Sequence, residues 1–257
     1  MKRTKTLIIL IIILLFVTIK CAAGFSNEPV REDKFKVIGY YSGDLFNEPL
    51  DKLQTDKLTH VMYAFLIPKS DGTLVDLKLP EQLTGLVDKA HKDGCEVFIS
   101  LGGWSYEGKY LAPTFEEVAS NDEKRKVFID NVCAFTEKYN LDGVELDWEH
   151  PNTKTIDDYE KLVVELNAAF KINGKELSAA LTGAWSPVNG YDTSNVITKT
   201  CLENFSFINV MSYDLNEADH SPIWFADTCI SYWLFREMPA EKIVLGMPLY
   251  AKPSWKQ

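Results

Sequence analysis

Basic residues are the scarce charge in this chain: 27 Lys and Arg stand against 37 Asp and Glu, a formal net charge of -10 over 257 residues. A protein so short of cations does not gather nucleic acid or an anionic membrane by charge, and suits an uncharged partner. Cysteine is also thin, five in all. Cys95, Cys133, Cys201 and Cys229 stand too far apart for a zinc or redox pair. A domain of this size has no need of disulfide staples, so at least two of them are expected to be plain buried thiols. Cys201 and Cys229 close the shortest loop and are the pair to look for if one bridge forms. No phosphate-cradling glycine fingerprint follows the first strand candidate, which weighs against a nucleotide-binding sheet. The one long apolar run, 7–17, falls short of the ~20 residues that a spanning helix needs.

That run has a different use. Lys2, Arg3 and Lys5 precede it and the small residues Ala22, Ala23 and Gly24 follow it, the pattern of a cleaved secretory signal peptide over 1–24. An uncleaved membrane anchor is the rival reading, and Lys20 makes Cys21 a poor lipidation site. Cleavage would remove four cations and no acid, taking the charge from -10 to about -14. The mature chain, 25–257, is then expected to be a secreted monomer with no stable membrane association and no nucleic-acid partner. Its 46% hydrophobic and 25% charged residues are enough for a full core, so disorder is not indicated.

From residue 36 onward, short apolar runs alternate with amphipathic stretches. Strand candidates are 36–41, 59–66, 96–101, 143–148, 177–182, 207–213 and 242–248. Helical spacing marks 81–92, ending at Gly94, then 121–139, with Asp122 and Glu123 in its first turn, 157–171, and a shorter stretch at 230–238. Such alternation implies parallel strands with right-handed crossovers. Periodicity alone leaves a doubly wound sheet and a (β/α)₈ barrel both open.

The most informative segment is 141–151, Leu-Asp-Gly-Val-Glu-Leu-Asp-Trp-Glu-His-Pro. It has the content of a buried strand, yet Glu145, Asp147 and Glu149 fill alternate positions. Successive strand side chains point to opposite faces, so three carboxylates share one face while Val144, Leu146 and Trp148 share the other. Desolvation and mutual repulsion make such a column too costly to exist for packing. It lies at the C-terminal end of a strand, where barrel enzymes keep their chemistry.

Four motifs in order make the chain resemble glycoside hydrolase family 18, the chitinase-like family, over roughly residues 36–252. They are Asp142, Gly143, Glu145, Asp147 and Glu149 on the fourth strand; Ser100, Gly102 and Gly103, followed by Trp104, on the third; Met211, Tyr213 and Asp214 on the sixth; and Gly246, Pro248 and Tyr250 on the seventh. Each smaller motif also has a plain use: glycines for backbone shape, Met211 for the core, Tyr213 and Asp214 as a structural pair, Trp104, Trp185 and Trp224 for packing. The resemblance implies a TIM barrel and a retaining, substrate-assisted hydrolase of β-1,4-linked N-acetylglucosamine polymers such as chitin, with no cofactor. Endo-β-N-acetylglucosaminidase action on N-glycans and a non-catalytic chitin-binding lectin are the alternatives. It further implies catalytic roles for Glu149 (general acid, then base), Asp147 and Tyr213 (on the substrate's acetamido group) and Glu145 (inner partner). Substrate contacts are expected from Tyr40, Phe65, Gly103, Trp104, Met211, Asp214 and Tyr250. Trp185, just beyond the fifth strand, is a candidate to stack on a sugar face. Like charges so close resist ionising together, so Asp147 and Glu149 are expected to share a proton. No metal is expected: acids at alternate positions with no histidine beside them make a poor site, and alternation turns His150 to the other face.

The sequence departs from the family in three places. Glu145 stands where the family has aspartate, and an extra methylene in a packed centre typically costs about 1–3 kcal/mol. Lys252 stands where arginine is common. Only seven strand candidates are present, with Trp255 after the seventh. The expected fold is therefore an incomplete barrel lacking its eighth βα unit, as in a fragment of a longer protein.

Overall fold

The computed structural model describes residues 35–43, 49–216 and 219–250. Seven parallel strands make one sheet: β1 Ile38–Tyr41, β2 His60–Leu66, β3 Glu96–Gly102, β4 Gly143–Asp147, β5 Glu176–Thr182, β6 Ile208–Met211 and β7 Ile243–Leu245. They lie side by side in chain order, each bonded to the next, as repeated right-handed crossovers require. Every expected strand is there, with ends shifted by up to three residues. No eighth strand is present among the described residues, and β1 and β7 are each paired on one side. The architecture is an incomplete (β/α)₈ barrel.

Helices run between the strands: α1 Pro80–Lys92, α2 Ala112–Ala119, α3 Asp122–Lys138, α4 Ile156–Ile172, α5 Asp192–Asn195, α6 Lys199–Asn204 and α7 Ile223–Phe235. Local chemistry sets several of their starts. Pro80 occupies the first turn of α1, where its missing N–H costs nothing. Asn121 caps α3 by accepting from the Lys124 N–H at 3.0 Å, and Thr198 caps α6 by accepting from the Cys201 N–H at 3.1 Å. Against expectation, α7 begins at Ile223 rather than 230: Pro222 sets its start, and apolar residues all round it hide the helical period. The eight-residue α2 was not foreseen; it follows a small hairpin, Ser105–Tyr106 with Lys109–Tyr110. A second hairpin, Ala184–Ser186 with Asn189–Gly190, follows β5. None of the described helices is long and apolar enough to cross a membrane.

The sheet has two unlike faces. Outward residues such as Val97, Ile99, Leu101, Val144, Leu146 and Leu177 join the helices in the main core. The inner face is floored by Met62, Phe98 and Phe207. Gly143 makes room for that floor, since a Cβ there would meet the Phe98 ring at 2.5 Å. Above the floor the inner face turns polar, with Ser100, Glu145, Ser178 and Asn209 all buried.

The bridge expected as a possibility between Cys201 and Cys229 does not form. Both are buried free thiols, as is Cys95, while Cys133 is half-buried and also free. Burial pushes the Cys201 thiol up to about 11, away from the reactive thiolate. The segment 1–24, Lys252 and Trp255 lie outside the described residues.

Candidate active site

Strand β4 supplies the column. Register sets Glu145 beside Ser100 of β3 and Ser178 of β5, and Asp147 beside Gly102. Glu145 is sealed from solvent, and its carboxylate is held by three donors. Tyr40 Oη donates to Oε1 at 2.5 Å, Asn209 Nδ2 to the same oxygen at 2.6 Å, and Ser100 Oγ to Oε2 at 2.7 Å. Tyr40 is on β1 and Asn209 on β6, near opposite ends of the sheet, so only a strongly curled sheet lets both reach the central strand. Asn209 also donates to Tyr40 Oη at 3.0 Å, which closes the ring. The methylene that distinguishes Glu145 from the family's aspartate thus ends among donors.

Asp147, one step up, is also buried, but its Oδ1 has no hydrogen-bond partner among the described residues. Its backbone is held instead, the Gly103 N–H donating to its carbonyl at 2.8 Å. That approach needs Gly102 at φ +118°, where a Cβ would meet the Asp147 carbonyl oxygen at 2.4 Å. Gly103 packs on Phe65, which would lie 3.3 Å from an added Cβ. Glu149 stands just past the strand, its side chain 18% exposed.

These surroundings sort the three acids. Burial raises Glu145, and the hydrogen bonds from Asn209, Tyr40 and Ser100 oppose that rise. Burial, then the charges of Glu145 and Glu149, push Asp147 well above the usual carboxylate range. The inner pair therefore keeps its charge on Glu145, where the donors are, and its proton on Asp147. Glu149 is pushed up to about 7, first by burial and then by Asp214 and Glu145. The proton expected between Asp147 and Glu149 is thus drawn inward, and burial more than Asp147 keeps Glu149 an acid. Burial and the Glu145 charge also raise the Tyr40 phenol; the residue is half-exposed as a whole, but its hydroxyl end is enclosed.

The remaining candidates border the column. Tyr213, just after β6, is held well above its ordinary range by burial and by Asp147. Its ring lies 6.5 Å from that of Tyr250, and Tyr250 Oη donates to Asp214 Oδ1 at 3.5 Å. His220 Nδ1 is 3.3 Å from the same oxygen. Met211 ends β6, half-buried. Trp104 is half-exposed beside Tyr110, ring centroids 5.0 Å apart. Trp185 is exposed and stands edge-on to Tyr191 at 4.2 Å. A cavity of about 130 Å³ opens beside Phe65, lined also by Ile67, Val75, Leu77, Lys78 and Tyr106. A second, of about 220 Å³ and lined by Lys199, Arg236, Glu237 and Lys242, shares no residue with the column.

His150 does not turn away from the acids: its Nε2 lies 3.5 Å from Glu149 Oε2. Strand alternation fails there because β4 ends at Asp147. Sequence reading also missed Asn209, although a polar residue between Phe207 and Met211, in step with them, was a usable signal. No group of three or more His, Cys, Asp or Glu among the described residues is arranged to hold a metal ion.

Buried acids at the C-terminal end of a central parallel strand stand where (β/α)₈-barrel enzymes carry their chemistry. The family model for glycosyl hydrolases family 18 matches residues 36–257, and the chain belongs to that family. A probable endochitinase of Caenorhabditis elegans is 31% identical over 231 residues, 76% of this chain and 36% of that protein. A chitinase-like effector of Moniliophthora roreri is 32% identical over 234 residues, 79% of this chain and 54% of its own length. The chain therefore spans about a third to a half of these relatives. Among solved structures, a family 18 chitinase from Flavobacterium johnsoniae superposes with a TM-score of 0.71 at 28% identity, covering 85% of this chain and 71% of that one.

Proposed function

We propose that this chain carries the catalytic strands of an exported chitinase, cleaving β-1,4 links between N-acetylglucosamine units with retention of configuration. The observation that supports it most is the gradient along β4: a fully bonded Glu145, an unpartnered buried Asp147 Oδ1, and a Glu149 whose pKa is about 7. Glu149 gives its proton to the leaving oxygen as the glycosidic bond breaks. The sugar's own acetamido oxygen attacks the anomeric carbon, forming a cyclic intermediate. Asp147 Oδ1 accepts from the acetamido N–H, and Tyr213 donates to the acetamido carbonyl from the other side. Glu149, now a carboxylate, takes a proton from water, which opens the intermediate. Glu145, pinned by Tyr40, Asn209 and Ser100, holds the charge that keeps the proton on Asp147. Trp104, Trp185 and Tyr250 offer aromatic faces to the flanking sugars, with Phe65, Gly103, Met211 and Asp214 completing the cleft.

The test is a reducing-end assay on chitooligosaccharides beside a high-mannose glycopeptide. Turnover of the oligosaccharide is expected, falling about 10³-fold or more in Glu149→Gln while binding persists. Asp147→Asn should lose about 10²-fold and change the shape of its pH profile. Activity should decline as pH rises through about 7, where the Glu149 acid ionises. Cleavage of the glycopeptide instead points to the endo-β-N-acetylglucosaminidase, and binding without turnover to a lectin; unchanged turnover in Glu149→Gln sinks the assignment.

A further inference from the structure

His150 stands beside the acid column with no task in the mechanism above. Its Nε2 is 3.5 Å from Glu149 Oε2. Its ring is 6.1 Å from that of Trp104, which in turn meets Tyr110 on the hairpin after β3, so the imidazole is braced between hairpin and column. The groups facing Glu149 from the other elements are Asp214 after β6, Glu145 and Asp147 on β4, and the hydroxyls of Tyr213 and Tyr250. None of them carries a positive charge. Burial holds the imidazole down to about 4, so at working pH it is neutral, with one N–H and one lone pair.

We propose that His150 is a positioning residue for Glu149: with its proton on Nε2 it donates to Oε2 and fixes the rotation of the carboxyl group. Oε1 is then left to carry the acid proton to the leaving oxygen. When that O–H bond breaks, its electron pair stays on the carboxylate, the His150 hydrogen bond shortens, and His150 itself transfers no proton. A separation of 3.5 Å is longer than a formed hydrogen bond, and such contacts tighten as charge develops at the reacting group. The inference rests on the reading of Glu149 as the acid/base.

The test is a carbon-13 NMR titration of the Glu149 carboxyl in the full chain, in wild type, His150→Phe and His150→Gln. Removing a donor to a carboxylate disfavours the charged form, so His150→Phe should raise the midpoint by about one pH unit. His150→Gln, whose amide N–H can still reach, should hold it close to wild type. The alkaline limb of kcat should move with the midpoint, and kcat should fall about tenfold in the Phe variant at unchanged KM. A midpoint that stays put or falls in His150→Phe overturns the proposal. If that variant does not fold, His150→Asn, polar but too short to reach, replaces it with the same expected rise. Titration needs no turnover: an inactive chain with a shifted midpoint keeps the His150 hydrogen bond to Glu149 but removes the hydrolase reading and with it the catalytic use of that bond, and an active chain with an unmoved midpoint keeps the hydrolase reading and overturns the proposal.

Discussion

Val144 and Leu146 on the outer side of β4, with Trp148 just past its end, and Glu145 and Asp147 on its inner side are all nearly sealed from solvent, yet burial means opposite things for the two sets. Outside, Trp148 stacks on Phe115 at 5.3 Å and 11° and meets Tyr159 edge-on at 5.5 Å, so each square ångström of burial stabilises the fold. Inside, burial penalises charge, and only Glu145 receives donors enough to offset it. The cost left at Asp147 and Glu149 is what raises their pKa values. One strand thus uses one face to hold the domain together and the other to keep two acids protonated.

The largest expected effect breaks the outer face. Trp148→Ala should cost about 3–5 kcal/mol in urea unfolding, by loss of the stack on Phe115. A loss under about 1 kcal/mol would mean that the outer face does not anchor β4. Next, Glu149→Gln should reveal the inner penalty as a gain. The Glu149 carboxyl titrates near 4.5 when unfolded and about 7 when folded. Between those values the folded chain binds more protons, so stability falls as pH rises; below both the penalty vanishes. Wild type and Glu149→Gln should therefore match at pH about 4, with the variant more stable at pH about 8 by up to about 3 kcal/mol. Equal stability at both pH values would remove the claim that burial raises this acid. The smallest effect tests the donors. Tyr40→Phe removes one bond to a buried carboxylate from a ring that is half-exposed, and should lower stability at neutral pH by about 1–2 kcal/mol. Each variant removes two of the three bonds that join Tyr40, Asn209 and Glu145, and Asn209→Leu should cost more because Asn209 is buried while Tyr40 is half-exposed. The reverse order would place the Glu145 charge elsewhere.

The seven strands were legible because each is a short apolar run bounded by polar turns, and β4 stood out through acids at alternate positions. Helices α1, α3 and α4 were legible from their period. The start of α7 was not, because a helix apolar on every side carries no period to read. Position relative to other strands was also hidden. His150 looked averted only because alternation was carried past the end of β4. Ser100 stands out in the sequence only for its glycine neighbours, and its hydroxyl bond to Glu145 depends on the register of β3 against β4.

The one-dimensional pattern alone determined that Glu145 and Asp147 share a face, since strand geometry allows no other arrangement for residues two apart. It could not determine which of them holds charge and which holds a proton. That depends on Tyr40, 105 residues from Glu145, and on Asn209, 64 residues away, both carried to the central strand by the curl of the sheet. A carboxyl's proton affinity is set by the donors and dielectric around it, and those exist only once the sheet has curled around the column.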